Sequence, residues 1–581
     1  MYLSYKFYMA NEKMIKGARI LLECLSRLGI NEIFGYPGGA VIPIYDELYS
    51  FKEIKHYFAR HEQGAVHEAD GYARSTGKVG ACLATSGPGA TNLVTGIMTA
   101  HMDSIPLLVI TGQVSSSLLG KDAFQESDIV GITVPITKNN YLVQDIKDLP
   151  RILKEAYYIA STGRPGPVLV DIPRDIQLQE IPYDEFNKIY ENHFSLEGYN
   201  PVYEGHKGQI KTAIKMIKDS KKPLIIAGAG ILKAHAYEEL KEFVEKTNIP
   251  VAMTLLGLGS FPGNHELALG MIGMHGTTYA NYAANEADLI IAAGMRFDDR
   301  VTGNPQKFVP NAKIIHIDID PAEIGKNKLI DVPIVGDLKN VLTDLNEKAP
   351  KVSYDEWLKQ IKKWKKEYSL IYRKTEDDIL IPQEILSEID KITKGNVIVA
   401  TDVGQHQMWA AQYLTFNNPY SILTSGGAGT MGFGLPAAIG AQVANPNKRV
   451  LAVVGDGGFQ MTFQELMLIK EYNLPVKIFI INNSYLGMVR QWQELFHEKR
   501  YSSVDLSYNP DFIKIGEAYG IKSIQLTNKK DLKKHLKKIL ESDEAVLVEC
   551  IVEKEENVYP MIPAGKDVSC IVGKRGVLEN E

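Results

Sequence analysis

Residues Gly455–Asn483 read GDGGFQMTFQELMLIKEYNLPVKIFIINN. Just before them stands RVLAVV, an apolar run of strand length, and PVKIFII is a second such run. Between the two, FQELMLIKEYN carries Phe463, Leu466, Met467 and the Ile469–Lys470 pair at helical spacing. The pattern predicts strand, loop, helix and strand, a single βαβ unit. Parallel strands joined by a right-handed crossover end on the same edge of their sheet. Asp456 ends the first strand and Asn483, 27 residues on, ends the second. Both side chains are therefore expected to converge on one crevice, where open α/β sheets bind ligands. A carboxylate oxygen and a carboxamide oxygen are hard donors, suited with phosphate oxygens and water to octahedral Mg²⁺. Gly457 and Gly458 let backbone N–H groups approach a phosphate at the start of the following helix. The competing reading is two unrelated turns, since GDG and NN are common turn sequences.

The same alternation runs through most of the 581 residues. EIFGYPG, GACLATSGPGATN, PLLVITGQ and GPVLVDIP are short β-rich runs separated by amphipathic stretches, which predicts parallel sheets covered by helices. Two polar segments break the pattern: QEIPYDEFNKIYENHFSLEGYN after Asp171, and the Lys-rich EWLKQIKKWKKEYSLIYRK. Both are expected to be connectors or surface helices. They leave three α/β blocks, at 14–182, 200–345 and 375–560, followed by a tail at 561–581. The first and third blocks share a style, TSGPGATN in one and TSGGAGTMG in the other, which hints at related sheets.

Hydrophobic residues make up 45% and charged residues 23%, an ordinary globular balance. The net charge of −6 argues against nucleic acid as a partner. No apolar run reaches the roughly 18 residues that span a bilayer, so no membrane association is expected. The start shows no signal-peptide pattern, and the residues ahead of Met14 read as a leader outside the fold. Four cysteines, Cys24, Cys82, Cys550 and Cys570, form no CxxC pair. They are expected to be reduced, buried thiols in a cytoplasmic protein.

Gly455–Gly457, the 27-residue spacing and Asn482–Asn483 together resemble the motif of thiamine-diphosphate-dependent enzymes. The resemblance implies that Asp456 and Asn483 bind Mg²⁺ through their side chains and Tyr485 through its carbonyl. It also implies a catalytic carboxylate. Glu62, in RHEQGAVHEADGYAR, follows the strand KHYFAR and begins a helix, where Glu complements the helix dipole in any case. In the family this glutamate hydrogen-bonds the cofactor's aminopyrimidine ring and promotes removal of the thiazolium proton. Glu62 and Asp456 lie in different blocks, and the family joins such residues across a subunit interface, so a homodimer or homotetramer is implied.

From Ile15 to Pro563 the chain is most similar to the acetohydroxyacid synthase (acetolactate synthase) family of catalytic subunits. The strings that carry this include FGYPGGAVIPIYDEL, KDAFQESD, GRPGPVLVDIPRD, GMHGT, GMRFDDRVTG, TSGGAGTMGFGLPAAIGA and GMVRQWQ. The fold so implied is α/β, three doubly wound parallel-sheet domains with a FAD-binding, Rossmann-like domain in the middle. The activity implied is a transferase reaction of branched-chain amino-acid biosynthesis. Pyruvate is decarboxylated on thiamine diphosphate, and the hydroxyethyl unit is joined to pyruvate or 2-oxobutanoate. A separate small regulatory subunit is also implied.

No His-His pair of the aldehyde-releasing decarboxylases is present. Phe124 and Gln125 stand in KDAFQE as in the ligase family. Arg300 is implied to hold the acceptor carboxylate, which suits its planar fork; the alternative is a structural pair with Asp298 or Asp299. Trp492 is implied to select acceptor size, with Met488 and Val489 lining the pocket; the alternative is a core tryptophan. Met431 would bend the cofactor into its V shape. Gly404, Gln405 and His406 would join Gly457 and Gly458 on the diphosphate.

In the middle block KPLIIAGAGI is a strand and Gly-rich turn with Gly228 and Gly230, and Asp318 ends the strand of IIHIDID where a ribose hydroxyl would lie. The resemblance assigns FAD to Gly228, Ala229, Gly230, Thr254, Leu255, Met274, His275, Gly294, Arg296, Asp298, Asp318 and Asp337, with Arg164 from the first block. The family commonly has Glu where Asp318 stands. The rival expectations are another FAD-binding thiamine enzyme such as a pyruvate oxidase, or a silent paralogue acting as a binding subunit. Intact Glu62, Asp456 and Asn483 speak against the silent one.

Overall fold

The computed structural model describes residues 13–373, 378–530 and 532–578. The expected leader therefore lies almost wholly outside the described residues, as do 375–377 at the start of the expected third block and the last three residues of the tail. The chain forms two compact units, one comprising residues up to Ala73 and Lys78–Asn200, the other Arg74–Gly77 and Pro201 onward.

The first unit contains a six-stranded parallel sheet built from β1 (Glu32–Gly35), β2 (Lys55–Phe58), β3 (Gly80–Ala84), β4 (Leu107–Gln113), β5 (Asn139–Leu142) and β6 (Pro167–Pro173), in the spatial order β2-β1-β3-β4-β6-β5. Its central strands are buried on both faces, which is why LLVI and PVLV read as continuous apolar runs, with Thr111, Gln113 and Asp171 as the polar exceptions at their carboxyl ends. Ile33, Leu108, Ile110, Val168 and Val170 pack with Leu21, Leu22 and Leu153 of covering helices. A small antiparallel pair, Met14–Lys16 with Glu180–Pro182, completes the unit.

The second unit holds two further six-stranded parallel sheets. The middle one comprises β7 (Pro223–Ala227), β8 (Val251–Met253), β9 (Ala268–Met271), β10 (Leu289–Ala293), β11 (Lys313–Asp318) and β12 (Val332–Val335), ordered β9-β8-β7-β10-β11-β12. Counted from its own first strand this is 3-2-1-4-5-6, the dinucleotide-binding order, with its switch point between β7 and β10. The third comprises β13 (Ile398–Thr401), β14 (Ile422–Leu423), β15 (Val450–Gly455), β16 (Lys477–Asn482), β17 (Lys522–Leu526) and β18 (Val546–Ile551), ordered β14-β13-β15-β16-β18-β17. The three-sheet α/β expectation thus matches the architecture.

Two local expectations need adjustment. The stretch FQELMLIKEYN forms a 3₁₀ turn at Phe463–Glu465 and a helix at Leu466–Glu471, and the expected loop before it is itself a helix, Asp456–Thr462. Cys570 is exposed, whereas Cys24, Cys82 and Cys550 are buried, and all four are free. The Lys-rich connector forms the helix Asp355–Glu367, with only Trp357 and Ile361 fully buried. Among the described residues no helix is long and apolar enough to cross a membrane.

Candidate active site

Strands β15 and β16 are parallel neighbours, with Gly455 opposite Ile481. Asp456 begins the helix directly after β15, and Asn483 directly follows β16. The βαβ topology therefore places both at one sheet edge, as the 27-residue spacing predicts. Asp456 is 1% exposed, and its Oδ2 accepts from Asn509 Nδ2 at 2.7 Å. The same nitrogen lies 3.4 Å from Asn482 Oδ1, and Asn509 Oδ1 accepts from Gln460 Nε2 at 2.9 Å. Asn509 thus ties the ends of the two strands together. Burial pushes the Asp456 carboxyl up to about 6, and a bound dication would favour its ionised form.

Asn483 Nδ2 donates to Gln405 Oε1 at 3.1 Å, and Asn483 Oδ1 accepts from the Tyr485 backbone N–H at 3.2 Å. One lone pair of that oxygen is left to face an ion. Tyr485 is held by a short antiparallel pairing in which Leu486 N donates to Val504 O and Leu506 N to Ser484 O, each at 2.8 Å. No cluster of three His, Cys, Asp or Glu able to bind a metal occurs among the described residues. The donor set here contains one carboxylate, one carboxamide and one carbonyl, all hard oxygens, and so fits Mg²⁺.

The diphosphate candidates surround these donors. Gly404 precedes the helix Gln405–Tyr413. His406 is buried, which pushes its ring pKa down to about 3, and its Nε2 has no hydrogen-bond partner among the described residues. An orphaned buried nitrogen of this kind fits a bound polar group. A Cβ on Gly457 would lie 2.8 Å from Leu486 Cδ2 and 3.6 Å from Met431 Cε, so the Met431 methyl stands beside the Asp456 turn. A Cβ on Gly458 would lie 2.6 Å from Asp402 Oδ1; that glycine is required by packing, whatever its N–H binds. Asp402, absent from the sequence reading, accepts from the backbone N–H groups of Val403, Gly432 and Gly434 and so folds the turn that presents Met431. Burial pushes its carboxyl up to about 6 against those donors.

On the helix Gly487–Phe496, Arg490 and Gln491 form the buried face. Trp492 is half-buried and packs on Phe496 at 5.2 Å between ring centroids, with Val489 exposed beside it; it is not a core tryptophan. Met488 is partly buried against the core.

In the middle sheet the candidates gather at the carboxyl ends of the strands. Gly228 follows β7, Thr254 follows β8, Gly294 follows β10, Asp318 ends β11 and Asp337 follows β12. A Cβ on Gly228 would lie 2.2 Å from Gly294 O and one on Gly230 would lie 2.6 Å from Gly294 Cα, so backbone meets backbone at the switch point. Ala229 opens the short helix there and Leu255 opens the 3₁₀ turn after β8. Asp298 and Asp337 cap helices through backbone N–H groups, and Asp318 Oδ1 accepts from Asp320 N at 2.9 Å. Arg296 is half-buried. His275 is buried, which pushes its ring down to about 4. Arg300 does not pair with Asp298 through its guanidinium. Its side chain is 61% exposed, with Nε 3.8 Å from Asp299 Oδ2 and Nη1 3.7 Å from Met274 Sδ. Such an exposed pair contributes little and leaves the fork open to a carboxylate.

The tail bridges these two groups of residues. Gln491 Nε2 lies 3.7 Å from Met561 Sδ, and Ile562 N donates to Met274 O at 2.8 Å.

In the first unit Glu62 opens the helix Glu62–Thr76 after β2. It is 9% exposed, and its Oε2 accepts from Asn92 Nδ2 at 2.9 Å. Gln125 has φ +61°, and a Cβ on Gly87 would lie 2.8 Å from its carbonyl oxygen. The loops after β3 and β4 therefore meet, and Phe124 beside them is 88% exposed. Arg164 donates from Nε to Ser104 Oγ at 2.8 Å. Both residues precede their strands, so Arg164 lies at the sheet edge opposite Glu62. Asn92, Asp402, Gln460 and Asn509 are the polar residues that the sequence reading missed.

Three family models match the chain: the thiamine pyrophosphate enzyme N-terminal TPP binding domain at 15–132, the central domain at 210–345 and the C-terminal TPP binding domain at 402–550. The acetolactate synthase large subunit of Lactococcus lactis is 50% identical over 571 residues, covering 98% of each chain. That of Cyanidium caldarium is 49% identical over 577 residues, covering 97% of this chain and 98% of its own. That of Corynebacterium glutamicum is 48% identical, covering 98% of this chain and 92% of its own.

Proposed function

The chain belongs to the thiamine pyrophosphate enzymes, in the family of acetolactate synthase large subunits, and on that premise we propose that it decarboxylates pyruvate and joins the remaining two-carbon unit to a second 2-oxo acid. The product is 2-acetolactate from pyruvate or 2-aceto-2-hydroxybutanoate from 2-oxobutanoate, both precursors of branched-chain amino acids. The observation that carries this reading is the convergence of the Asp456 and Asn483 oxygens at one sheet edge, with Met431 beside Gly457.

Thiamine diphosphate, when bound, would supply a carbon nucleophile for the pyruvate carbonyl and an electron sink for the loss of CO₂. Asp456, Asn483 and the Tyr485 carbonyl would hold Mg²⁺, and Gly404, Gln405, His406, Gly457 and Gly458 would hold the diphosphate beside it. Glu62 holds a proton at the cofactor's pyrimidine ring, oriented by Asn92. The family reading brings Glu62 of one copy to Asp456 of another, which makes a homodimer or homotetramer the active form. Arg300 binds the carboxylate of the acceptor as a bidentate fork, while Trp492, Met488 and Val489 bound the space for its side chain. Phe124 and Gln125 cover the reacting carbon without offering a strong acid. Residues at the switch point of the middle sheet, where Gly228 and Gly230 meet Gly294, would hold FAD. The overall reaction is redox-neutral, so FAD serves structure. A small regulatory subunit and a cytoplasmic setting complete the proposal.

Incubation with pyruvate, thiamine diphosphate, Mg²⁺ and FAD is expected to yield acetolactate. Oxygen uptake without acetolactate would instead identify an oxidase.

A further inference from the structure

The string GRPGPVLVDIPRD contains two carboxylates, Asp171 and Asp175, with no role in the reading above. Asp171 lies in β6 opposite Thr111 of β4 and is buried. Its Oδ1 accepts from Thr111 Oγ1 at 2.7 Å and its Oδ2 from Gln113 Nε2 at 2.9 Å. The same Gln113 nitrogen donates to the Ser127 carbonyl at 2.8 Å, and Gln113 Oε1 accepts from Val114 N at 2.9 Å. Asp175 Oδ1 accepts from Ser116 N at 2.8 Å and from Ser116 Oγ at 3.1 Å. The segment 114–127 thus leaves β4 and is pinned at both ends by the two aspartates.

Within that segment Glu126 accepts from the backbone N–H groups of Gly120 and Ala123. Asp122 and Gln125 take positive φ, +53° and +61°. The exposed Phe124 has little packing of its own to hold it. Burial pushes the Asp171 carboxyl up to about 7. A carboxylate kept at such desolvation cost is accounted for by its hydrogen bonds.

We propose that Asp171 and Asp175 are positioning residues that hold the Phe124–Gln125 loop over the reacting carbon, Asp171 through Gln113 and Asp175 directly, and thereby set which product the two-carbon unit becomes. This rests on the synthase reading. Two pyruvates and a proton give acetolactate and CO₂; one pyruvate and a proton give acetaldehyde and CO₂. A loop held in place keeps water, the proton donor for the second outcome, away from the carbon. A loosened loop admits it.

Gln113→Leu and Asp175→Ala each release one pin. Asp171→Asn is the conservative control: its Oδ1 can still accept from Gln113, and its amide can donate to the rotatable Thr111 hydroxyl. With cofactors and pyruvate, the two releasing variants are expected to raise the acetaldehyde-to-acetolactate ratio about tenfold, less than the roughly 10²-fold that a 1 Å misplacement can cost. Hydrogen exchange across 114–127 should also quicken, and Asp171→Asn should stay near the unsubstituted protein in both readouts. An unchanged product ratio in variants that remain folded by thermal melting overturns the proposal. If one variant fails to fold, the other decides. If the unsubstituted protein makes no acetolactate, the synthase reading fails; unchanged exchange in the releasing variants then separately overturns the clamp.

Discussion

Counted from its own first strand, the order 2-1-3-4-6-5 describes both the sheet of the first unit and the third sheet, yet corresponding strand ends carry different groups. After the second strand the first-unit sheet presents Glu62, while the third sheet presents the Thr424–Gly434 turn with Met431. After the third strand stand Ser86 and Gly87 in one and Asp456 in the other. After the fourth come the Phe124–Gln125 loop in one and Asn483 in the other. On the proposed reading, the same frame carries a carboxylate for proton chemistry in one sheet and oxygen donors for an ion in the other. Fold and chemistry are separable here, because the strands are specified by buried apolar runs and the chemistry by the loops at their ends.

The sharpest way to break the comparison is to exchange one group in each sheet. Glu62→Gln should lower turnover by roughly 10²–10⁴, the range for loss of a general acid or base, with thiamine diphosphate and Mg²⁺ affinity nearly unchanged in a fluorescence titration. A large loss of cofactor affinity instead would mean that the first sheet is not confined to proton chemistry. Asn509→Ala, at the third sheet, should raise the Mg²⁺ concentration for half-maximal activity about 10–100-fold, and saturating Mg²⁺ should restore most of the rate. Asn92→Ala, at the first sheet, should lower kcat without moving that midpoint.

Trp492→Leu should shift the preference between 2-oxobutanoate and pyruvate as acceptors by roughly tenfold, the discrimination that a methylene-sized change in a pocket gives. Competition with both acids measures it, and an unchanged ratio removes Trp492 from the pocket.

The smallest effect concerns stability. Asp171 titrates at about 7 in the fold, above an unfolded carboxylate. Its contribution is therefore full below pH 4 and is lost as the pH rises through about 7. Melting curves of the full chain between pH 5 and 8 should show a decline that Asp171→Asn flattens, worth on the order of a few kcal/mol at most. Parallel curves would show that Asp171 is not the group responsible.

The bracket of Asp456 and Asn483 was legible in the sequence because both lie at the ends of one βαβ unit, where local periodicity and crossover handedness suffice. The place of Glu62 at the start of a helix after a strand was legible for the same reason, whereas its role rests on the family resemblance. Asn509 and Asp402 were not, because they reach Asp456 and Gly432 only through the tertiary fold, across 53 and 30 residues, which no local period encodes. The likeness of TSGPGATN to TSGGAGTMG pointed to related sheets, and the sheets do share one order. The strings are not counterparts, however: the first follows the third strand of its sheet, the second the second strand of its own. Both are glycine-rich because backbone must pass close to backbone or side chain at each, Gly87 against Gln125 and Gly426 against Leu256.

The tail has a practical consequence for engineering. Its backbone accepts from three separate elements: Lys566 O from Asn304 N, Lys574 O from Thr278 Oγ1 at the start of a helix, and Arg575 O from Ile371 N after the connector helix. Cutting the chain after Pro560 would orphan those donors, and with them the Met274 carbonyl that accepts from Ile562 N. Shortened or spliced versions should therefore keep residues 561–578, and a reporter is better inserted at an exposed turn such as that around Gly198.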